Sequence, residues 1–308
     1  MKTIDQKTAA PPLNSLEVLE KSLTLPSPLI PFCPSWHGAE SVSMWVKRDD
    51  MIHPVISGNK WRKLAYALRS NKIAEVISFG GGFSNHLHAL GFVCYTLNIK
   101  FTAIIRGDYS AAPTPMICDL VRWNTQIDYV NRLTYQKRND EHYLAALQIK
   151  HPHATIIPEG GSQHAALLGV QELVHEITTP FDVIMAPVAS GATLAGITSA
   201  LSEKQTAIGI GVLKGQGYLE SLVSQFLPHQ MDNWTINHNY HCGGYAKVPA
   251  TLATFCEEFI QTMPFKIEPV YSGKVFWALK NMLNEGFFAP GTKIVIVHTG
   301  GLQGARKN

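Results

Sequence analysis

Apolar and polar positions form two alternating patterns along the chain. Short apolar runs rich in β-branched residues are separated by longer segments in which apolar residues recur at helical spacing. Apolar runs without alternation are typical of strands buried on both faces of a parallel sheet. These runs predict strands at residues 43–46, 75–79, 101–105, 126–130, 155–157, 183–186, 207–212 and 293–297. The segments between them predict helices at residues 60–70, 85–97, 115–123, 140–150, 167–177, 193–202 and 274–284.

The regular succession of strands and helices predicts an α/β fold built from right-handed βαβ units. Glycine-rich loops follow several strands, at residues 80–82, 160–161, 190–191 and 300–301. In open α/β sheets, ligands bind beyond the carboxyl ends of the strands. We therefore expect a site assembled from distant parts of the chain.

The composition narrows the class of protein. The 308 residues, 45% of them hydrophobic, are enough for one large domain or two medium ones. The net charge is only +3, and the basic residues are scattered rather than clustered. This pattern predicts no nucleic-acid partner and no membrane partner. It suits an enzyme with a small substrate.

Cysteine usage and the start of the chain bear on location. Five cysteines without a CxxC pair argue against a disulfide framework and against a structural zinc site. Residues 1–30 hold no apolar run long enough for a signal peptide, and no stretch approaches the roughly 20 apolar residues of a membrane span. We expect a reducing, cytoplasmic location and no metal, with His86 and His88 as partly buried helix residues.

The first motif with chemical potential is SGNKWRKL, at residues 57–64. Lys60 follows Gly58 and Asn59 and opens a helix, whose start carries partial positive charge. A lysine there can have a lowered pKa and act as an amine nucleophile. By position alone, a solvated lysine in a first helical turn is the favoured interpretation, since exposed lysines are the rule.

The second motif is SFGGGFSNHLHALG, in which Ser84 and Asn85 stand where a helix begins. Unpaired backbone N–H groups at a helix start can bind a carboxylate. Alternatively, Ser84 is simply an N-cap. A dinucleotide fingerprint is not satisfied, because Asn85 occupies the last glycine position of GxGxxG.

Two further kinds of segment complete the candidate site. APVASGATLAG, at residues 186–196, runs from a strand through small residues into a helix, which suits a phosphate group or simply a tight turn. It lacks GK[ST], so a phosphorylated cofactor fits better than a nucleoside triphosphate. EPVYSGK, at residues 268–274, and IVIVHTGG, at residues 294–301, are each interpreted as a buried strand with a polar end. Tyr271 alone is more typical of a core or rim position.

Taken together, the motifs resemble those of the D-cysteine desulfhydrase and 1-aminocyclopropane-1-carboxylate (ACC) deaminase family. That family belongs to the tryptophan-synthase-β-like enzymes of fold type II, which use pyridoxal phosphate (PLP). The resemblance spans about residues 46–304. The motifs occur here in the family's order: KRDDMIHPVISGNKWRKL, SFGGGFSNH, IPEGGSQHAALLG, SGATLAG, EPVYSGK and HTGGLQG.

The resemblance implies roles for particular residues. Lys60 would carry PLP as a Schiff base and move protons, and Ser84, with backbone N–H groups at Asn85 and His86, would hold the substrate carboxylate. Tyr271, a catalytic residue together with Lys60 and Ser84, would line the substrate pocket with Tyr245. The cofactor would be bound by Lys60, Lys63, Asn85, Ala189, Ser190, Gly191, Ala192, Thr193 and Ser272. Lys63 and the loop at residues 189–193 would bind the phosphate, Asn85 the 3-oxygen, and Ser272 would face the pyridine nitrogen.

The resemblance also implies an architecture. We expect two open, mostly parallel-sheet domains with the PLP site in the cleft between them. Residues 1–58 and 168–308 would form the larger, PLP-binding domain, and residues 59–167 the smaller, mobile one. The protein would be a homodimer that acts on a small amino-acid substrate.

The chain departs from the family pattern in ways that bear on the reaction. The deaminases have Glu where this chain has Ser272, Tyr245 lies in a different context, and Trp61 stands where smaller residues are usual. A serine hydroxyl cannot hold a proton on the pyridine nitrogen electrostatically, whereas opening a cyclopropane ring requires a strong electron sink. We therefore expect β-elimination from D-cysteine or a related D-amino acid, with pyruvate, ammonia and sulfide as products. ACC deamination and a PLP-binding protein without catalysis are the alternatives.

Overall fold

The structure is a computed structural model that describes residues 15–69 and 73–306. Two sheets organise it. The first contains β1 (Leu29–Pro31), β2 (Ser43–Lys47), β7 (Val183–Val188), β8 (Thr206–Gly211), β9 (Trp234–Asn237) and β10 (Lys293–Val297), in the order β1-β2-β10-β7-β8-β9. The second contains β3 (Glu75–Gly81), β4 (Lys100–Arg106), β5 (Gln126–Val130) and β6 (Ala154–Ile157), in the order β5-β4-β3-β6. Every neighbouring pair is parallel except β1 and β2.

Helices connect the strands and cover the sheets. Their bounds are α1 (Leu16–Lys21), α2 (Asn59–Arg69), α3 (Asn85–Thr96), α4 (Pro115–Arg122), α5 (Arg132–Gln136), α6 (Glu141–Lys150), α7 (His164–His175), α8 (Ala192–Thr198), α9 (Tyr218–Ser224), α10 (Ala250–Thr262) and α11 (Ser272–Asn284). In the part of the chain that the structure describes, no helix is both long and apolar enough to cross a membrane.

The predicted α/β fold with two mostly parallel sheets is confirmed. Each of the eight strands and seven helices predicted from the apolar pattern is present within a few residues, although the helix predicted at residues 193–202 ends at Thr198. Residue 70, the end of another predicted helix, lies outside the described residues. The central strands of the first sheet are buried on both faces as their apolar runs indicate: Ile184 of β7 packs in one core and Met185 in the opposite one.

The two sheets draw on different parts of the chain. The first sheet takes its strands from residues 29–47 and 183–297, and the second from residues 75–157. The boundaries proposed at residues 58 and 167 stay predictions, and residues 1–14 lie outside the described part of the chain. Leu19, Ile52 and Ile56 share a core cluster with Trp61 and Leu64 of α2, so that the chain near residue 58 is packed continuously.

The helix α2, which carries Lys60, is tightly packed against α7. Gly169 of α7 faces the Arg62 backbone so closely that an added Cβ would lie 2.0 Å from the Arg62 carbonyl oxygen. At the interface between α7 and α8, an added Cβ on Gly196 of α8 would lie 2.6 Å from the Val170 Cβ of α7. Glycine at these positions therefore allows the three helices to approach one another.

Buried charges fix the other side of α2. The Arg62 side chain is 0% exposed and donates to Asp49 at 2.9 Å and to Glu176 at 2.6 Å. Lys47, from β2, donates to the same Glu176 carboxylate at 2.6 Å. The network therefore joins α2, the end of α7 and the first sheet.

Candidate active site

Lys60 lies in the first turn of α2 with its amine half-buried. Its Nζ donates to Asn59 Oδ1 at 2.5 Å, and Asn59 Nδ2 donates to Thr193 Oγ1 at 2.9 Å. Burial lowers the pKa of Lys60 to about 8, against the opposing effect of the Glu268 carboxylate. The amine is therefore available in its neutral, nucleophilic form near physiological pH.

Lys63 lies one turn further along α2 and is buried. Its Nζ donates to Ser162 Oγ at 2.9 Å and to Ser190 Oγ at 3.2 Å. Burial, together with the nearby Lys60, lowers the pKa of Lys63 well below its usual value. Among the described residues Lys63 has no carboxylate partner, so an anion bound here would stabilise its charge.

The loop at residues 189–193 lies beside these lysines, at the carboxyl end of β7. Gly191 has φ +80° and comes so close to α9 that an added Cβ would lie 2.2 Å from the Leu222 carbonyl oxygen. Opposite it, an added Cβ on Gly160 would lie 3.5 Å from Ser190 Oγ and 3.8 Å from Lys63 Nζ. Two glycine-rich loops thus leave a small polar cradle around Lys63.

The start of α3 lies near the same cradle. Ser84 is the N-cap and accepts the Leu87 N–H at 3.2 Å, so the N-cap interpretation of Ser84 is correct, and its O–H has no acceptor among the described residues. Asn85 Oδ1 accepts from Gln303 at 2.6 Å. His86 is buried, and its ring lies 3.4 Å from where a Cβ of Gly161 would be.

His86 is fixed in one tautomer. Ser78 Oγ donates to the Ile157 carbonyl at 2.7 Å, so it accepts from His86 Nε2, also at 2.7 Å. Burial, together with Lys63 and Lys60, lowers the pKa of His86 well below its usual value. The imidazole is therefore neutral, and it adds no positive charge to the cradle.

Tyr245 and Tyr271 form a hydroxyl pair at the edge of the site. Their oxygens are 2.9 Å apart, and the rings meet edge to face. Burial, with the neighbouring Tyr245, holds the pKa of Tyr271 well above its ordinary value, and burial also raises that of Tyr245. Both phenols keep their protons at neutral pH. No hydrogen bond among the described residues joins Ser84 or Tyr271 directly to Lys60.

The strand expected at residues 268–274 is wrong. Residues 269–271 form a turn, and α11 begins at Ser272. The physical reason is Glu268, whose buried carboxylate accepts the backbone N–H groups of Val270, Tyr271 and Ser272 at 2.8–2.9 Å. These bonds bend the chain back on itself, which a strand cannot do.

Four residues of the site were not predicted to belong to it, although each stands inside or beside a motif. Asn59 joins Lys60 to Thr193, Ser162 joins Lys63 to Ser190, and Gln303 binds Asn85. Glu268 accepts the Ser272 hydroxyl at 3.1 Å. The available signal was a neighbouring glycine for Asn59, Ser162 and Gln303, and for Glu268 its place as the first residue of EPVYSGK.

These residues fit a group that carries both an aldehyde and a phosphate. Lys60 supplies an amine whose pKa burial lowers to about 8, and the buried amine of Lys63 donates to the hydroxyls of Ser162 and Ser190. The cradle around Lys63 is polar and glycine-lined, which suits a phosphate. Within the described ranges, no cluster of three or more His, Cys, Asp or Glu side chains could hold a metal ion.

Comparison with known proteins agrees with this geometry. The family model described as pyridoxal-phosphate dependent enzyme matches residues 23–300. The bifunctional D-cysteine desulfhydrase/ACC deaminase of Arabidopsis thaliana is 28% identical, over 85% of this chain and 73% of that protein. The D-cysteine desulfhydrase of Klebsiella pneumoniae is 25% identical, over 84% of this chain and 86% of that one.

A solved structure shares the architecture. The crystal structure of an ACC deaminase homologue matches with a TM-score of 0.76 and 25% identity, covering 92% of each chain. Fold type II is therefore the fold of this chain. With a family model that spans most of its length, the chain belongs to the pyridoxal-phosphate dependent enzymes, and PLP is its cofactor.

Proposed function

We propose that the protein catalyses β-elimination and deamination of a small D-amino acid, with D-cysteine as the first candidate. The products would be pyruvate, ammonia and sulfide. The observation that carries the proposal is the Lys60 amine, whose pKa is lowered by burial to about 8. A base of this strength is suited to remove an α-proton near neutral pH. D-cysteine has such a proton on its α-carbon, whereas ACC has none.

The chain's own residues have separate tasks in this proposal. When bound, PLP withdraws electrons from the bonds at the amino acid's α-carbon. Lys60 Nζ takes the α-proton, while Ser84 and the backbone N–H groups of Asn85 and His86 bind the carboxylate. The Tyr245–Tyr271 pair lines the substrate pocket as two neutral hydroxyls.

Other residues orient the cofactor in this proposal. Lys63 and the loop at residues 189–193 would hold its phosphate, and the contacts between Lys63 and Ser190 support that role. Asn85 would bind the 3-oxygen, and Ser272 would face the pyridine nitrogen. Each of these residues would position the cofactor, and the position of the cofactor determines which bond at the α-carbon is aligned for cleavage.

ACC deamination is a second candidate, and one observation favours it. The Glu268 carboxyl group lies 3.1 Å from the Ser272 hydroxyl oxygen, so an acidic group is present near the position where the deaminases resembled here have Glu. A carboxylate there would strengthen the electron sink that ring opening requires. Relatives named for each activity are similar to the chain to about the same degree.

A substrate panel separates the candidates. The purified holoenzyme is mixed with D-cysteine, β-chloro-D-alanine, D-serine and ACC, and ketoacid release is measured. We expect the first two to react fastest, because sulfide and chloride leave readily. L-cysteine is the matched control for stereochemistry and should react slowly. Efficient ACC deamination without reaction on D-cysteine or β-chloro-D-alanine would make ACC the substrate.

Ser84 offers a test of carboxylate binding. Ser84→Ala should lower kcat/KM by about 10- to 100-fold while PLP stays bound, because a hydrogen bond to a charged group is lost at a cost of about 1.5–3 kcal/mol. Ser84→Gly is the matched control for the cap, since glycine replaces an N-cap serine at a cost of only a few tenths of a kcal/mol. Both variants should lose the same activity. Wild-type kinetics in Ser84→Gly would show that Ser84 acts as an N-cap and does not bind the substrate carboxylate.

Assembly and location complete the proposal. We propose a homodimer in a reducing, cytoplasmic compartment, with a mobile smaller domain. The five cysteines support the reducing compartment, since all of them are free thiols in the structure.

A further inference from the structure

Glu268 is a buried carboxylate to which the proposed function assigns no task. Its side chain lies at the start of α11, and the residue is 2% exposed. Oε2 accepts from Val270 N at 2.8 Å, and Oε1 accepts from Tyr271 N at 2.9 Å and from Ser272 N at 2.8 Å. No cation among the described residues forms an ion pair with it. Burial raises the pKa of Glu268, and hydrogen bonds from Ser272, Val270 and Tyr271 oppose that rise and stabilise the ionised form.

The Ser272 hydroxyl has only one free position. It donates its proton to Glu268 Oε1 at 3.1 Å, with the Glu268 carbonyl oxygen a more distant second acceptor at 3.4 Å. It also accepts the Glu268 N–H at 3.0 Å. A hydroxyl has one donor and two acceptor positions, so a single lone pair remains. Towards any group that it faces, Ser272 can therefore act only as an acceptor.

We infer that Glu268 is a positioning residue that makes Ser272 an acceptor and so keeps a proton on the ring nitrogen of the cofactor. The inference rests on the proposed function in one respect: Ser272 is taken to face that nitrogen. An unprotonated pyridine nitrogen has no hydrogen to donate, whereas a protonated one matches the free lone pair of Ser272. The negative charge one hydroxyl away stabilises the protonated form further.

The serine at position 272, taken alone, predicts an unprotonated ring nitrogen, whereas Ser272 and Glu268 together predict a protonated one. A serine hydroxyl by itself cannot hold the proton, but the hydroxyl here is hydrogen-bonded to a carboxylate four residues earlier. Ser272 and Glu268 would act together in place of the single glutamate of the deaminases. The residue type at position 272 therefore does not by itself define the electronic state of the ring.

The experiment is a measurement of ring-nitrogen protonation. Holoenzyme is prepared with PLP labelled with 15N in the ring, and the 15N resonance is followed by NMR across a pH series. We expect the wild type to show the protonated signal. Glu268→Gln should lower the pKa of the ring nitrogen by about 1–3 units, because the neighbouring charge is removed. Ser272→Ala should lower the pKa of the ring nitrogen similarly. Because this variant keeps the Glu268 carboxylate, it provides the same test if Glu268→Gln fails to fold.

Glu159→Gln is the matched control. Glu159 contributes charge near Tyr245 and Tyr271 but bonds to Tyr135 and Arg138 rather than to Ser272. Its loss should leave the ring-nitrogen signal unchanged. An unprotonated nitrogen in the wild type overturns the inference, as does a nitrogen that stays protonated in Ser272→Ala.

The same wild-type preparation is tested with the substrate panel. Protonated nitrogen without ketoacid release supports the inference and rejects the proposed reaction. An unprotonated nitrogen together with ketoacid release rejects the inference and supports the proposed reaction.

Discussion

Lys60→Ala is expected to lower turnover by about 10³-fold or more and to remove the covalent attachment of PLP. The reason is that the amine bonded to Asn59 would be lost, and with it the proposed proton carrier at the α-carbon. Borohydride treatment followed by mass spectrometry of peptides should find the cofactor fixed on Lys60 in the wild type. The variant should show no such peptide.

Two companion variants sharpen this test. Lys60→Arg keeps a positive charge but cannot form the covalent link, so it should be as inactive as Lys60→Ala. Lys63→Ala should bind PLP more weakly and still allow its fixation on Lys60, since the Lys63 amine donates to Ser162 and Ser190 rather than to Asn59. Wild-type activity in Lys60→Ala would show the central assignment to be wrong.

The attachment of PLP to the apoenzyme should depend on pH in a defined direction. Burial lowers the pKa of Lys60 to about 8, and only the neutral amine is nucleophilic. The rate of attachment, followed by absorbance, should therefore rise as the pH increases through about 8. An attachment rate that is constant between neutral pH and well above this value would contradict a lowered pKa.

Arg62→Ala is expected to reduce the free energy of unfolding by about 3–5 kcal/mol, because it leaves the Asp49 and Glu176 carboxylates without their buried partner. Arg62 makes two bonds to each carboxylate, at 2.9 and 3.2 Å and at 2.6 and 2.7 Å respectively. Denaturant unfolding of the apoenzyme measures the loss. Arg69→Ala is the matched control on the same helix, where a partly exposed pair with Glu20 should contribute at most about 1 kcal/mol.

Acid should bring the stabilities of the wild type and Arg62→Ala closer together. Burial opposes ionisation of Glu176, yet hydrogen bonds from Arg62 and Lys47 hold the pKa of Glu176 below its ordinary value. The folded pKa is thus lower than the unfolded one, so this stabilisation is full above the unfolded pKa and disappears as the pH falls through the folded pKa. The difference in stability between the two proteins should therefore shrink in acid. An equal difference at all pH values would argue against the ion pair as its source.

Much of the fold could be predicted because its strands are long, apolar and buried on both faces. The elements that were not predicted are of another kind. β1 and β9 have 3 and 4 residues, and in the described part of the chain they are the two edge strands of the first sheet. α10 has 13 residues and follows Pro249, and its buried positions Leu252, Phe255, Cys256 and Phe259 have helical spacing, so the sequence carried a signal for this helix.

Site residues that stand in local motifs could be predicted, whereas contacts between residues far apart in the chain could not. Lys60, Ser84 and the loop at residues 189–193 stand in short motifs with a local physical signal. The contact between Lys63 and Ser162 joins residues 99 positions apart, and that between Gln303 and Asn85 joins residues 218 positions apart. No local pattern reports such pairs. Glu268 was missed because a strand was expected where its carboxylate instead forms a turn.

The close approach of α2, α7 and α8 has a practical consequence for engineering. Replacing glycine with alanine inside helices is a common way to raise thermal stability, since alanine lowers the entropy of the unfolded chain. Gly169 and Gly196 would be natural targets by this rule, yet an added methyl would lie 2.0 Å from a carbonyl oxygen at the first and 2.6 Å from a Val170 carbon at the second. Libraries designed for heat tolerance should keep both glycines and place their substitutions elsewhere.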